Sequence, residues 1–476
     1  MPAPTPSTPA RLALPARLAL LGMCAVALGL RFALAIVHPN IVQPDEIFQY
    51  VEQAYRLVFG TGLVPWEYRL GIRSWLVPGV LAPILAAGSV VGSGAGAITL
   101  AMCVLGLVPV VCGWHLGRRA AGLPGAVLAG GLNAIWFEAV HYSAHPLADT
   151  IGAALLVAGI ATRRAMAAGV LLGLAIAVRP QLAPAILLTL PFLPGRRRLL
   201  AGLAAALAGT GLLDAITLGS PWQSIWLYAR VNLAGAADSM GVQPATAYLE
   251  WMLRNWGYAA PLLAVAAGIG AWRRPVLAIA PLATLLTFSA IGHKEERFLL
   301  PALPFLLTLA GIGTAWLLSR LRAGGAVPPL LALAAWAAIS AGLARREAFA
   351  RILDHGAGML RAHAIVAANP EACGIAIFPP GAWAFTGGHA RMRRGMELYG
   401  FDPARTAAYS AIIAPAGPSF ASLGYAETGC WANDWAGRPW HQACLWQRPG
   451  PCDAAAAVPV AAGIPAALRP LFPPSR

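Results

Sequence analysis

The stretch IGHKEERFLLP, residues 291 to 301, sets five polar residues in a row between two apolar runs. Lys294 within it is the only lysine of the chain. Lys294 and Arg297 are three positions apart, a spacing that turns two side chains to one side of a helical turn. Together they could clamp a phosphate, the arginine as a planar fork and the lysine as a compact charge. Glu295 and Glu296 would orient these cations or pair with Arg179, and His293 adds a further polar group. Charges snorkelling from a helix end would use the same residues, so that reading stays open from spacing alone. A second polar word, QPDE, puts Asp45 and Glu46 directly after the first apolar run. A carboxylate held there, close to a bilayer, could deprotonate a hydroxyl presented at the membrane surface. Asp is also a favoured N-cap, which is the competing reading. HYSAHPLADT carries Asp149 with His141 and His145. Histidines four apart can hold a metal on a helix, but Pro146 interrupts this one, so lining of a cavity or a structural hydrogen bond is expected instead. Arg179 in VRPQ falls at membrane depth, where an arginine needs a carboxylate or a lipid phosphate. The GSGAG at 92–96 lacks a preceding strand and a GK[ST], which rules out a nucleotide loop.

These words have to be positioned by apolar elements. Of 476 residues 58% are hydrophobic and 11% charged, too apolar for a soluble globular chain. Apolar runs of about 20 residues recur, each long enough to cross a bilayer as a helix, and strands with dyad alternation are absent. The net charge of +15 comes from short arginine clusters between those runs, the pattern of cytoplasmic loops rather than of a nucleic-acid groove. The clusters are Arg11 with Arg17, Arg118–Arg119, Arg163–Arg164, Arg196–Arg198, Arg273–Arg274, and Arg320 with Arg322. Placing all six on the cytoplasmic side gives spans near 13–36, 96–117, 121–141, 145–162, 165–178, 181–195, 199–218, 258–272, 275–292, 299–318 and 326–344. The first run lacks a signal-peptidase site and reads as a retained span. Residues 74–92 are apolar enough to span, but counting them would invert the next five clusters. They are expected as a juxtamembrane helix at the outer surface, kept short by Pro78 and Pro83. Residues 165–195 are short for two spans, and Arg179-Pro180 marks either a hairpin tip or a broken helix.

The outer loops are then 37–95, 142–145, 179–180, 219–257 and 293–298, together with the tail. Every polar word lies in them. A transporter or flippase of lipid-linked sugars is the alternative, but it would bury its ionisable groups at the midplane. Their collection at one face points to a site at the outer interface. After residue 344 the composition changes to short β-like runs between Gly/Pro turns, a small α/β domain over 345–476 beside a membrane domain over 1–344. Cys24, Cys103 and Cys112 fall in spans as packing residues. Cys373, Cys430, Cys444 and Cys452 form an even set outside, expected as two disulfides with three pairings open, and their spacing lacks the CxxC of a zinc site.

QPDEIFQYVEQAYRLVFGTGLVPWEYRLGIRSW resembles the first lumenal loop of the glycosyltransferase family 22 mannosyltransferases, and HKEERFLLPALP resembles that family's second signature. The resemblance extends from about residue 15 to 320. It implies a GT-C fold, a multi-span α-helical bundle with its active site at the lumenal or periplasmic face. It implies a donor in which mannose is carried by a polyprenyl phosphate, transferred with inversion to a lipid-linked or glycan acceptor amid membrane lipid. No cofactor is implied, and no divalent metal is indicated, although the chemistry admits one. Asp45 matches the general-base position beside Glu46. Lys294, Arg297 and Arg179 suit the leaving phosphate. Asp149, Trp66, Glu67, Arg69, Arg73, His293, Glu295 and Glu296 are expected around the substrate cavity. Gln43 stands where the family has a histidine. The arginine-rich, lysine-poor composition and the cysteine-bearing tail look bacterial. Hence a multi-pass protein of the bacterial inner membrane is expected, its N-terminus cytoplasmic and its C-terminal domain periplasmic.

Overall fold

The computed structural model describes residues 14–235, 238, 241–321, 325–434, 440–453, 460 and 463. Arg11 and Arg322 lie outside the described residues. The chain forms a helical bundle followed by a five-stranded sheet. Among the described residues, five stretches are long and apolar enough to cross a membrane: Leu14–Val37, Gly94–Ile135, Arg196–Leu218, Leu303–Arg320 and Val327–Ala344. The second of these is two crossings. Its backbone leaves helical geometry at Ala121 and Gly122 (φ 65°) and turns back. A Cβ on Gly117 would lie 2.1 Å from the Gly125 carbonyl oxygen, so glycine at both positions lets the two legs touch. Ala148–Ala161, Ala165–Val178, Ala259–Arg273 and Val276–Ala290 are 14 or 15 residues each. They fall short of the roughly 20 residues of a full perpendicular crossing.

Two open points of topology are answered by packing. Gly169 meets the backbone of Leu199 and Leu203, and Gly173 meets Leu203 and Ala206. Ala165–Val178 and Arg196–Leu218 therefore run parallel, and the chain between them must return. Arg179 stands at the tip of that hairpin, and the returning leg is the turn Pro180–Leu182, the helix Ala183–Thr189 and the turn Leu190–Phe192. The helix Leu76–Val90 packs on Glu52–Phe59 and on Gly94–Leu105. Its first residues lie with Ala177 and Val178, beside the Arg179 tip. It thus stays at one end of the bundle, as the charge pattern requires. At the other end Arg119 donates to the Ala161 carbonyl (2.8 Å) and Arg274 to the Arg119 carbonyl (2.7 Å). Gly195 lies against Ala165 there too, so four arginine clusters gather away from HKEER.

In the C-terminal sheet, β1 (Gly374–Ile377), β2 (Glu397–Gly400), β3 (Ala411–Pro415), β4 (Ala426–Ala432) and β5 (Gln442–Gln447) lie in the order β2-β1-β3-β5-β4. β1 is parallel to both neighbours, while β5 is antiparallel to β3 and β4. β1 and β3 are buried throughout because both faces of the sheet are covered. One face takes the Ala357–Ala368 helix and, in the same core, Ile41, Ile47, Phe48 and Leu63 of the first loop. The other carries an aromatic cluster around Tyr409, Phe420, Tyr425 and Trp446. Disulfides join Cys373 to Cys452 and Cys430 to Cys444, one of the three pairings left open by the sequence.

Candidate active site

Asp45 opens a π-helical turn, Glu46–Val51, that passes into the α-helix Glu52–Phe59. Asp45 itself has helical angles (φ −57°, ψ −41°) and makes no capping hydrogen bond, which removes the N-cap reading. π-turns are rare and concentrate at functional sites, because the widened turn re-aims a side chain. Here the two adjacent acids point to different partners. Asp45 Oδ2 lies 2.7 Å from a terminal nitrogen of Arg297, with its side chain 29% exposed. Glu46 is buried: Oε1 accepts the Val42 N–H (2.6 Å), and Oε2 meets His145 Nδ1 (2.6 Å). Glu46 therefore holds the start of the loop to the His145 segment, while Asp45 faces the charge cluster.

Arg297 is the hub of that cluster. Its Nε lies 2.7 Å from Glu295 Oε2, and its two terminal nitrogens reach Asp45 (2.7 Å) and Asp149 (3.5 Å). Asp149 is fully buried and also lies 2.8 Å from Arg179. The partner of Arg179 is thus Asp149, not Glu295 or Glu296. This contact is close but not aligned as a hydrogen bond, and Arg179 Nε has no hydrogen-bond partner among the described residues. The Arg179 guanidinium lies over the rings of Phe298 (4.5 Å) and Phe288 (5.3 Å). The site therefore holds buried guanidinium donors not consumed by protein acceptors.

The remaining HKEER residues point different ways. Lys294 is buried and donates to the Gln243 carbonyl (3.0 Å) and the Ile291 carbonyl, with no third acceptor among the described residues. The helical turn that would align it with Arg297 begins only at Glu296, and the two cations do not share a partner. His293 spans Gly241 O (3.0 Å) and Glu295 Oε1 (3.1 Å). Burial alone would raise the Glu295 pKa, but Arg297 and His293 hold it well below the usual carboxylate range. The same Glu295 contact raises the pKa of His293. Glu296 turns away to Arg254 and to Asn255 Nδ2 (2.8 Å).

In the first loop, Glu67 is buried and accepts from Gln49 Nε2 (2.9 Å). Its carboxyl is pushed up to about 7 by burial, with the Asp45 charge adding to the shift. The Arg73 guanidinium lies 5.0 Å over the Tyr228 ring. Ser74 donates to Asp214 (2.7 Å), which also accepts the Ser224 N–H (3.1 Å), so this wall is pinned to Arg196–Leu218. Trp66 packs against Ile72, Leu227 and Val231. Arg69 is exposed and donates only to the Val64 carbonyl (3.3 Å), apart from the cluster.

Glu52 falls in the quoted first-loop motif, but its partner carried no sequence signal. Glu52, on the Asp45 segment, accepts the N–H groups of Leu63 (2.8 Å) and His389 (2.8 Å) and meets His389 Nδ1 (2.5 Å). His389 is 337 residues away and in no motif. Glu138 likewise stood in an unremarked apolar run, just before HYSAHPLADT.

The profile of the Alg9-like mannosyltransferase family matches residues 23–356. A GPI mannosyltransferase 3 from Yarrowia lipolytica is 29% identical over 306 residues, 58% of this chain and 59% of that protein. A GPI mannosyltransferase 3 from Trypanosoma brucei brucei is 51% identical over 43 residues, 9% of this chain and 8% of its own length. The chain thus spans less than two thirds of these curated relatives. Among solved structures, ArnT from Cupriavidus metallidurans bound to undecaprenyl phosphate superposes with a TM-score of 0.54 at 14% identity, covering 93% of this chain and 99% of its own. An Archaeoglobus fulgidus oligosaccharyltransferase tethered to an acceptor peptide gives 0.50 at 12% identity, covering 84% and 68%. At such identities they show the common fold alone. Because the family profile runs through both the Asp45 segment and HKEER, the chain belongs to the Alg9-like mannosyltransferase family.

Proposed function

We propose that this protein is a multi-pass membrane mannosyltransferase that takes mannose from a polyprenyl phosphate and passes it, with inversion, to a hydroxyl of a lipid-linked or glycan acceptor. The observation that carries the reading is the rim position of Asp45, partly exposed and 2.7 Å from Arg297, above an Asp149 that is fully buried. Two partly exposed carboxylates touch the hub arginine, and Asp45 is the more exposed; Glu295 has both oxygens engaged by Arg297 and His293, which leaves Asp45 the better placed to take a proton. In the proposed step the acceptor oxygen attacks the anomeric carbon and its proton passes to Asp45. The bond from that carbon to the phosphate oxygen breaks, and the lipid phosphate departs with the electron pair. Cations stabilise that developing charge when they are already in place. Arg297 and Arg179 supply guanidinium donors there, and Lys294 supplies an N–H from the adjoining loop. That a structural neighbour is described as bound to undecaprenyl phosphate supports a polyprenyl-linked donor. The end that bears Asp45 faces away from the cytoplasm in this reading, with the N-terminus inside and residues 345–476 outside.

Asp45→Asn keeps the shape and removes the base, so transfer from polyprenyl-phosphate mannose should fall by about 10²–10⁴-fold. Insertion and thermal unfolding should not change. Wild-type turnover by this variant would overturn the assignment of the base. Incubating the purified protein with a panel of polyprenyl-phosphate sugars and lipid extracts, then identifying the product, tests the sugar and acceptor class.

A further inference from the structure

On the far side of HKEER from Asp45 is a cavity of about 270 Å³ between the helices Ala259–Arg273, Val276–Ala290 and Leu303–Arg320. Its walls are apolar, with Leu285, Leu303 and Leu306 among them, and exposed Leu282 carries the lining to the outer surface of the bundle. Its polar end is acidic. Glu138 Oε2 accepts from the indoles of Trp136 (3.1 Å) and Trp256 (2.8 Å), while Oε1 accepts no hydrogen bond among the described residues. Glu296 lies at the same end and is matched by the exposed Arg254. Arg254 is engaged by Glu296 and Arg346 by the Arg254 and Asn255 carbonyls, and among the described residues neither guanidinium bonds Glu138. Tyr142 also lines the cavity; it is 8% exposed, and its hydroxyl has no hydrogen-bond partner among the described residues.

A half-buried carboxylate set against apolar walls is favoured by a cation or further donors. Two indole N–H groups on one oxygen leave the other uncompensated, and an incoming ammonium would complete it. Trp251 and Trp256 line the same end. The apolar walls, open toward the bilayer side, suit an alkyl chain. We propose that this cavity binds a membrane lipid with an ammonium headgroup, its head on Glu138 and Tyr142 and one chain between the three helices. The site is separate from the sugar-transfer reading and does not depend on it.

The test uses the full chain, delipidated in detergent and offered phosphatidylethanolamine or phosphatidylglycerol with identical chains. Retained lipid is counted by native mass spectrometry, and the unfolding midpoint is followed in parallel. The wild type should retain phosphatidylethanolamine at least several-fold over phosphatidylglycerol, and only the former should raise its midpoint. Glu138→Gln keeps a carbonyl oxygen for the two indoles and should fold, yet lose the preference. Leu285→Trp fills the apolar end and should lose retention of both lipids. Equal retention of the two lipids by the wild type would sink the proposal, and so would an undiminished preference in Glu138→Gln. Because the preference is a ratio within one protein sample, a partly unfolded variant does not imitate its loss.

Discussion

Arg297 bonds three carboxylates and Asp149 holds two guanidiniums, so the acid and the base of this cluster each depend on more than one partner. Breaking a buried charge pair from one side is costly because the other charge stays behind without compensation. Asp149→Asn should therefore destabilise the protein by about 3–5 kcal/mol. It should also release Arg179 and Arg297 from their fixed positions. Thermal unfolding of the variant checks the first effect, and a rise in KM for the donor checks the second. Lys294 is held by backbone carbonyls, so Lys294→Ala removes a charge without orphaning a carboxylate. It should weaken use of the donor more than use of the acceptor. Equal losses for both substrates would assign the lysine to holding residues 241–243 in place.

At the scale of elements, the helix that carries Asp45 is not free-standing. Ile47 and Phe48 lie in the core of the C-terminal sheet, and Glu52 clasps His389 from that domain. Burial alone would lower the pKa of His389, but the contacts with Glu397 and Glu52 outweigh it and raise it to about 10 from an ordinary 6.5. The folded value exceeds the unfolded one. The clasp's contribution is then complete below pH 6.5, shrinks between 6.5 and about 10, and is gone above that. Hydrogen-exchange protection factors of residues 46–59, corrected for intrinsic pH dependence, should fall over that window. Glu52→Gln should flatten the dependence. If protection in the wild type rises with pH, His389 does not stabilise the clasp as a cation.

For the whole molecule, two covalent ties and one orientation remain to be measured. In the chain-entropy account Cys373–Cys452 closes 79 residues and contributes about 4.5 kcal/mol, while Cys430–Cys444 closes 14 and contributes about 3 kcal/mol. Replacing Cys373 and Cys452 together by serine should therefore lower the unfolding midpoint of the C-terminal domain more than replacing Cys430 and Cys444. Because loop 37–95 shares a core with this domain, loss of either tie should also reduce transfer activity. The arginine clusters at the end opposite Asp45 predict the sidedness. With Cys24, Cys103 and Cys112 replaced by serine, Arg118→Cys and Arg163→Cys should be closed to a membrane-impermeant maleimide added from outside. Labelling of both from outside would invert the topology.

Hydropathy, the arginine clusters and the two motifs are local properties, and they sufficed for the helical bundle, the placing of 74–92 at one end and the gathering of Asp45, Asp149, Arg179 and HKEER. Each depends on residues within a turn or a span of one another. What adjacent residues do was decided only in three dimensions. Asp45 faces Arg297 while Glu46 faces His145, because successive residues of a helical turn project in different directions and only packing decides what each one meets. Glu295 joins the cluster while Glu296 leaves for Arg254, because the chain enters a 3-10 turn between them. A six-residue helix such as FEAVHY, polar on more than one side, gives no sign of which side chain enters a cavity, so Glu138 and Tyr142 could not be assigned one from their positions in the chain. Glu52 and His389 meet across 337 residues, and the disulfides chose one pairing of three, because such contacts follow from how the sheet packs on the first loop.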